Sequence, residues 1–151
     1  MPSKHTTALQ FVRYLIVGGM NTAVTLIVIF ALKSLAGMDP YLSNAAGYIA
    51  GLINSFLWNR GWVFRSHGNR VREGAAFLAG FGICYLIQLL TVWGLTHTGI
   101  GTLMIEIPIP LIETERAFTL SGYGISTLAG MAVYTIANFI YNRLVTFRKT
   151  A

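Results

Sequence analysis

Four apolar stretches free of Asp, Glu, Lys and Arg divide the chain: Tyr14–Leu32, Tyr41–Trp58, Gly74–Thr98 and Ala117–Asn142. Each is long enough to cross a hydrocarbon core of ~30 Å as a helix. The pattern predicts helices over about 11–35, 41–62, 74–98 and 119–142. Residues 1–10 read as a polar tail. Gly37-Met38-Asp39-Pro40 reads as a tight turn, and 66–73 as a basic loop. Residues 99–118 read as a longer outer loop in which Pro108 and Pro110 stop any helix. Small residues recur every fourth position, at Gly47 and Gly51 and at Gly122, Ser126 and Gly130, a spacing that lets helices approach closely. The expected fold is an all-α integral membrane protein with four transmembrane helices, a single membrane domain over 1–151.

The second and fourth runs end alike. Phe56-Leu57-Trp58-Asn59-Arg60-Gly61-Trp62-Val63-Phe64-Arg65 returns 83 residues later as Phe139-Ile140-Tyr141-Asn142-Arg143-Leu144-Val145-Thr146-Phe147-Arg148. Phe, Asn-Arg, Phe and Arg keep their spacing, an aromatic precedes each Asn, and Gly47 and Gly130 fall in register upstream. Two halves of two helices each, 11–65 and 74–148, make a parallel repeat about an axis along the membrane normal. Whether 60–65 and 143–148 continue as helix or become extended is left open by their alternating pattern.

Composition agrees with a membrane class: mean hydropathy is +0.61 and only 11% of residues are charged. The net charge of +6 would suggest nucleic acid in a soluble protein; its distribution excludes that reading. Lys4, Arg13, Arg60, Arg65, Arg70, Arg72, Arg143, Arg148 and Lys149 share one side with Glu73. Lys33 and Arg116 share the other with Asp39, Glu106, Glu113 and Glu115. With short loops, the positive-inside rule puts both termini in the cytoplasm. Cys84 stands alone and the three histidines are scattered, so no disulfide, metal site or cofactor is expected. No acid–base or nucleophilic constellation is visible, so the chain is not read as an enzyme. The apolar run before Ser34-Leu35-Ala36 is too long for a signal core, and the first helix is read as retained.

Gly18-Gly19-x-Asn21, Asn138-Phe139-x-x-Asn142-Arg143-x-x-x-Phe147-Arg148 and Phe56-x-x-Asn59-Arg60-x-Trp62-x-Phe64-Arg65 resemble the GtrA-like family of small four-helix bacterial membrane proteins. The first copy has Ser55 where the second has Asn138. The resemblance implies a place in cell-surface polysaccharide or O-antigen modification at the bacterial inner membrane. It implies translocation of a polyprenyl-phosphate-linked sugar, on undecaprenyl phosphate or a similar carrier, from the cytoplasmic to the periplasmic leaflet. Some relatives look more like anchors that recruit or stabilise a glycosyltransferase, and that alternative stays open.

A flipped lipid-linked sugar must take a phosphodiester and several hydroxyls through hydrocarbon, where an isolated charge costs at least a few kcal/mol. Arg13, Arg60 and Arg143 at the cytoplasmic helix ends are candidates for the phosphate, since a guanidinium fork matches its oxygens. Asn21, Asn54, Asn59, Gln88, Asn138 and Asn142 are candidates for sugar hydroxyls along the path, with Trp58 and Tyr141 for stacking. Plainer roles exist for all of them: positive-inside anchoring, helix–helix hydrogen bonds and an interfacial aromatic belt. Glu106, Glu113 and Glu115 read as a solvated loop or a partner contact; Arg65, Arg70, Arg72, Arg148 and Lys149 read as anchors to anionic lipid. Four thin helices enclose little volume, so a homodimer or higher oligomer is expected. No carboxylate lies within a span to couple an ion.

Overall fold

The computed structural model describes residues 4–107 and 118–148. Four long helices form the described chain: α1 (Lys4–Phe30), α2 (Pro40–Trp58), α3 (Arg70–Thr96) and α4 (Gly122–Tyr141). Thr7–Leu35, Arg70–Thr96 and Gly122–Thr146 are long and apolar enough to cross a membrane. α2 is less apolar because Ser43, Asn44, Asn54 and Ser55 lie inside it.

Local chemistry sets the helix starts. Asp39 accepts from the amides of Tyr41 (2.9 Å) and Leu42 (3.1 Å), with Pro40 at the first position where its missing N–H costs nothing. Asn69 caps α3 in the same way, accepting from Val71 at 2.9 Å and Arg72 at 3.1 Å. That cap draws the helix start back to Arg70, inside the stretch expected to be loop, and puts Glu73 in the first turn. α1 likewise begins at Lys4, within the expected tail.

The connection between α3 and α4 departs from a purely helical fold. A short 3-10 turn (Gly99–Thr102) leads into β1 (Met104–Ile107), which pairs antiparallel with β2 (Phe118–Ser121) in the register Met104↔Ser121 to Ile107↔Phe118. The strand takes the residues expected to begin the fourth helix, which starts instead at Gly122 under a Ser121 cap whose hydroxyl accepts from Gly124. Pro108, Pro110, Glu113, Glu115, Arg116 and Lys149 lie outside the described residues, and Glu106 is described only by its backbone.

Three helices end in a π-turn, whose hydrogen bonds reach back five residues rather than four: Ala31–Leu35 after α1, Asn59–Val63 after α2, and Asn142–Thr146 after α4. The doubled motif therefore stays helical past its arginines, but with a widened turn. The first two close alike. Ala36 and Phe64 donate to the carbonyls of Ala31 and Asn59, and Met38 and Ser66 reach back to Leu32 and Arg60. Between them, Gly37 and Arg65 take left-handed backbone, with φ of 65° and 49°.

The described chain divides into two compact units. The first holds residues up to Phe77 together with those from Arg143 on. In it α1 lies against α2, and a methyl at Gly47 would meet Ile29 and the Thr25 carbonyl, while one at Gly51 would meet the Thr25 hydroxyl. Phe56, Phe64, Phe77 and Phe147 form its aromatic core. The second unit runs from Leu78 to Asn142. There Gly130 faces Val92 and Gln88, Gly80 faces the Tyr141 ring, and Gly122 faces the backbone of Ile100 and Gly101. The repeat reaches further up these helices than the motif: Ser43 and Ser126, also 83 apart, are both fully buried and both bond back to the carbonyl four residues earlier.

Candidate functional site

Each copy of the motif places its asparagine at the first residue of a π-turn, and each is almost wholly enclosed: Asn59 is 1% exposed and Asn142 0%. Their amide nitrogens are satisfied from the preceding turn. Asn59 donates to the Ser55 carbonyl (2.9 Å) and hydroxyl (3.2 Å); Asn142 donates to the Asn138 side-chain oxygen (3.1 Å). Ser55 and Asn138 thus play the same part despite their different chemistry. In both copies the asparagine Oδ1 accepts no hydrogen bond among the described residues. A buried acceptor left unpaired costs about 1–3 kcal/mol, and here the same atom is left so twice.

In the second copy the network continues, with the Asn138 amide donating to the Tyr134 hydroxyl at 3.3 Å. Thr146, in the same π-turn, has a buried hydroxyl that is also unpartnered among the described residues. Tyr141 is half-buried against Gly80, and Arg143 is half-buried with no ion pair or hydrogen bond among the described residues.

Arg60, its counterpart, is engaged along its Nε–Nη2 edge. Its Nε donates to Glu73 at 2.6 Å and its Nη2 to the Gly68 carbonyl at 2.8 Å. The Ser66 hydroxyl donates to the other oxygen of Glu73, and the Gly68 amide donates to Ser66 (3.3 Å). Glu73 is 5% exposed. Nothing in the sequence marked Glu73, Ser66, Tyr134 or Thr146 as site residues. The one available signal was that Glu73 is the lone acid read on the same side as nine arginines and lysines.

The remaining candidates fall into two groups. Asn21 and Asn54 meet directly, Asn54 donating to the Asn21 side-chain oxygen at 2.7 Å across the α1–α2 contact. Arg13 lies over the Trp62 ring, 5.5 Å from its centre, and Trp62 meets Trp58 edge-on at 6.2 Å. Trp58 itself is exposed. Gln88 lies beside Gly130 on the small-residue contact of α3 with α4.

A family described as "GtrA/DPMS, transmembrane domain" matches residues 13–147, a span that takes in the first copy of the motif and all of the second but Arg148. The cell wall teichoic acid glycosylation protein GtcA of Listeria monocytogenes is 25% identical over 83 residues, covering 52% of this chain and 57% of that protein. The chain thus spans little more than half the length of that relative.

Proposed function

The chain belongs to the GtrA/DPMS transmembrane-domain family, and from that premise we propose that it carries a polyprenyl-phosphate-linked monosaccharide from the cytoplasmic to the periplasmic leaflet for glycosylation of a surface polymer. The observation that carries this reading is the pair of buried asparagines, Asn59 and Asn142, each holding an unfilled acceptor one residue from an arginine. Sugar hydroxyls are donors that such acceptors match, and a guanidinium beside them suits the phosphate.

In this reading α2 is the fourth span, its polar residues facing the path or a helix rather than lipid, and both termini are cytoplasmic in the inner membrane. Arg143 and Arg13 meet the phosphate first, with Arg60 held in reserve by Glu73. Asn21, Asn54, Asn138 and Gln88 line the route, and Trp58 and Tyr141 flank its mouth. The protein works as a homo-oligomer, without a cofactor or chemical step, and exchange runs down the gradient that consumption outside maintains.

The test uses purified protein in liposomes loaded with a polyprenyl-phosphate hexose, scored by a membrane-impermeant reagent. Exchange at least about tenfold faster than in empty liposomes, and lost in Asn59→Ala/Asn142→Ala, supports translocation. A second reading, a non-transporting adaptor for a polyprenyl-phosphate glycosyltransferase, draws on the occupied donors of Arg60. Exchange no faster than in empty liposomes, from folded protein, favours the adaptor.

A further inference from the structure

Glu73 is a buried carboxylate in the first turn of α3. A buried ion pair contributes little net stability over well-packed apolar side chains, because desolvating both charges offsets their attraction. Yet the carboxylate is enclosed and fully used, holding the Nε of Arg60 with one oxygen and the Ser66 hydroxyl with the other. The second donor on the same edge of Arg60, Nη2, is taken by the Gly68 carbonyl. Nε and Nη2 form the fork that grips a carboxylate or phosphate with two parallel bonds. In Arg60 that fork is closed by a carboxylate oxygen on one prong and a backbone oxygen on the other.

The loop is cut to this arrangement. Ser66 both donates to Glu73 and accepts from Gly68, and a Cβ on Gly68 would strike the Glu73 carboxylate. Ser66, Gly68 and Glu73 therefore move together: an anion that takes the Arg60 fork displaces the carboxylate from one prong and the loop carbonyl from the other.

We propose that Glu73 is a built-in anion that occupies Arg60 and gives way to the phosphate of a polyprenyl phosphate, so that headgroup binding and release of the 66–68 loop are one event. The inference rests on the reading of the chain as a handler of polyprenyl-phosphate lipids. Glu73 is thus a positioning residue. It keeps a partly buried guanidinium neutralised when no substrate is present, and it sets a threshold that weak anions do not pass. Two anions cannot share the fork, since each prong has one proton to give and like charges side by side repel.

The full chain is placed in phosphatidylcholine nanodiscs, and binding of radiolabelled decaprenyl phosphate is measured for wild type, Glu73→Gln, Ser66→Ala and Glu73→Gln/Arg60→Gln. Amide hydrogen exchange at 66–69 is followed in parallel. The expected result is binding about tenfold tighter in Glu73→Gln and a smaller gain in Ser66→Ala, with the gain abolished in the double variant. Exchange at 66–69 should rise when decaprenyl phosphate is added to wild type, and should be high in Glu73→Gln without it.

Equal binding by wild type, Glu73→Gln and Ser66→Ala, with 66–69 protected throughout, overturns the displacement and leaves the lipid-handling reading standing. No binding by any of the proteins overturns both. If Glu73→Gln does not fold, Ser66→Ala and the wild-type exchange response decide. Phosphatidylglycerol and inorganic phosphate are titrated as separate arms. Loop release by either one at the same concentration as decaprenyl phosphate overturns the assignment to the polyprenyl headgroup.

Discussion

Phe64 and Phe147 hold the same place in the two copies of the motif, and their rings stack on each other, 5.1 Å between centres and 19° from parallel. Both are buried, at 4% and 3% exposure. The repeat is therefore joined to itself: the end of one half is the packing partner of the end of the other, with Phe56 and Phe77 closing the cluster. Truncating either ring should destabilise the folded protein by about 3 kcal/mol, the usual cost of removing a buried Phe side chain. Phe64→Ala/Phe147→Ala should lose less than the sum of the single losses, by about 1 kcal/mol. Chemical unfolding in detergent, followed by tryptophan fluorescence, gives the cycle.

Arg65 occupies left-handed backbone that glycine occupies at the matching Gly37. An L-residue there costs about 1–2 kcal/mol relative to glycine. Arg65→Gly should therefore raise the thermal midpoint. If the exposed guanidinium serves anionic lipid or substrate, the same variant should also lose transport. A stabilised variant with full transport would show that the side chain is dispensable.

Asn59→Ala and Asn142→Ala each remove an amide donor with a satisfied partner, a change worth about 1 kcal/mol in stability. Each also removes an acceptor that nothing among the described residues uses. Stability should thus change little, the lost bond being offset by relief of the unpaired acceptor, while the liposome exchange rate falls about tenfold or more. Matched small losses in both measurements would make the asparagines structural.

Glycines separate by what surrounds them. Gly51→Ala should disrupt the α1–α2 contact and with it the Asn21–Asn54 bond, because the new methyl meets the Thr25 hydroxyl. Gly61→Ala, in open space, should disrupt no contact. Gly18 and Gly19 are exposed with nothing near them, so alanine there should stabilise α1 by up to about 1 kcal/mol in the monomer. Gly18→Leu/Gly19→Leu should shift a homo-oligomer toward monomer, read by light scattering or crosslinking, if this face of α1 is where copies meet.

The helices and their polar ends are legible in the chain because charge placement and apolar length report directly on a bilayer. Gly37-Met38-Asp39-Pro40 announces its turn, and Asn59 and Asn142 stand out by repetition. What stays hidden depends on tertiary context. Glu73 reads only as the acid of a basic loop until Asn69 starts a helix that turns it toward Arg60. Thr119 reads as helix until strand pairing claims it. The equivalence of Ser55 and Asn138 lies in what they accept, which residue identity conceals. No apolar pattern marks a π-turn, because its signature is a hydrogen bond one residue longer than usual.

In an α-helix each residue advances about 100°, so positions five apart point roughly 140° away from each other. A turn closed five residues back spreads those residues over nearly a full circle. Asn59 and Phe64 thereby share one side of the chain. Deleting Gly61 or Leu144 would keep every motif side chain and still swing each aromatic ring off its neighbours. These two ends are free to drift in composition, within limits, but not to lose or gain a single residue.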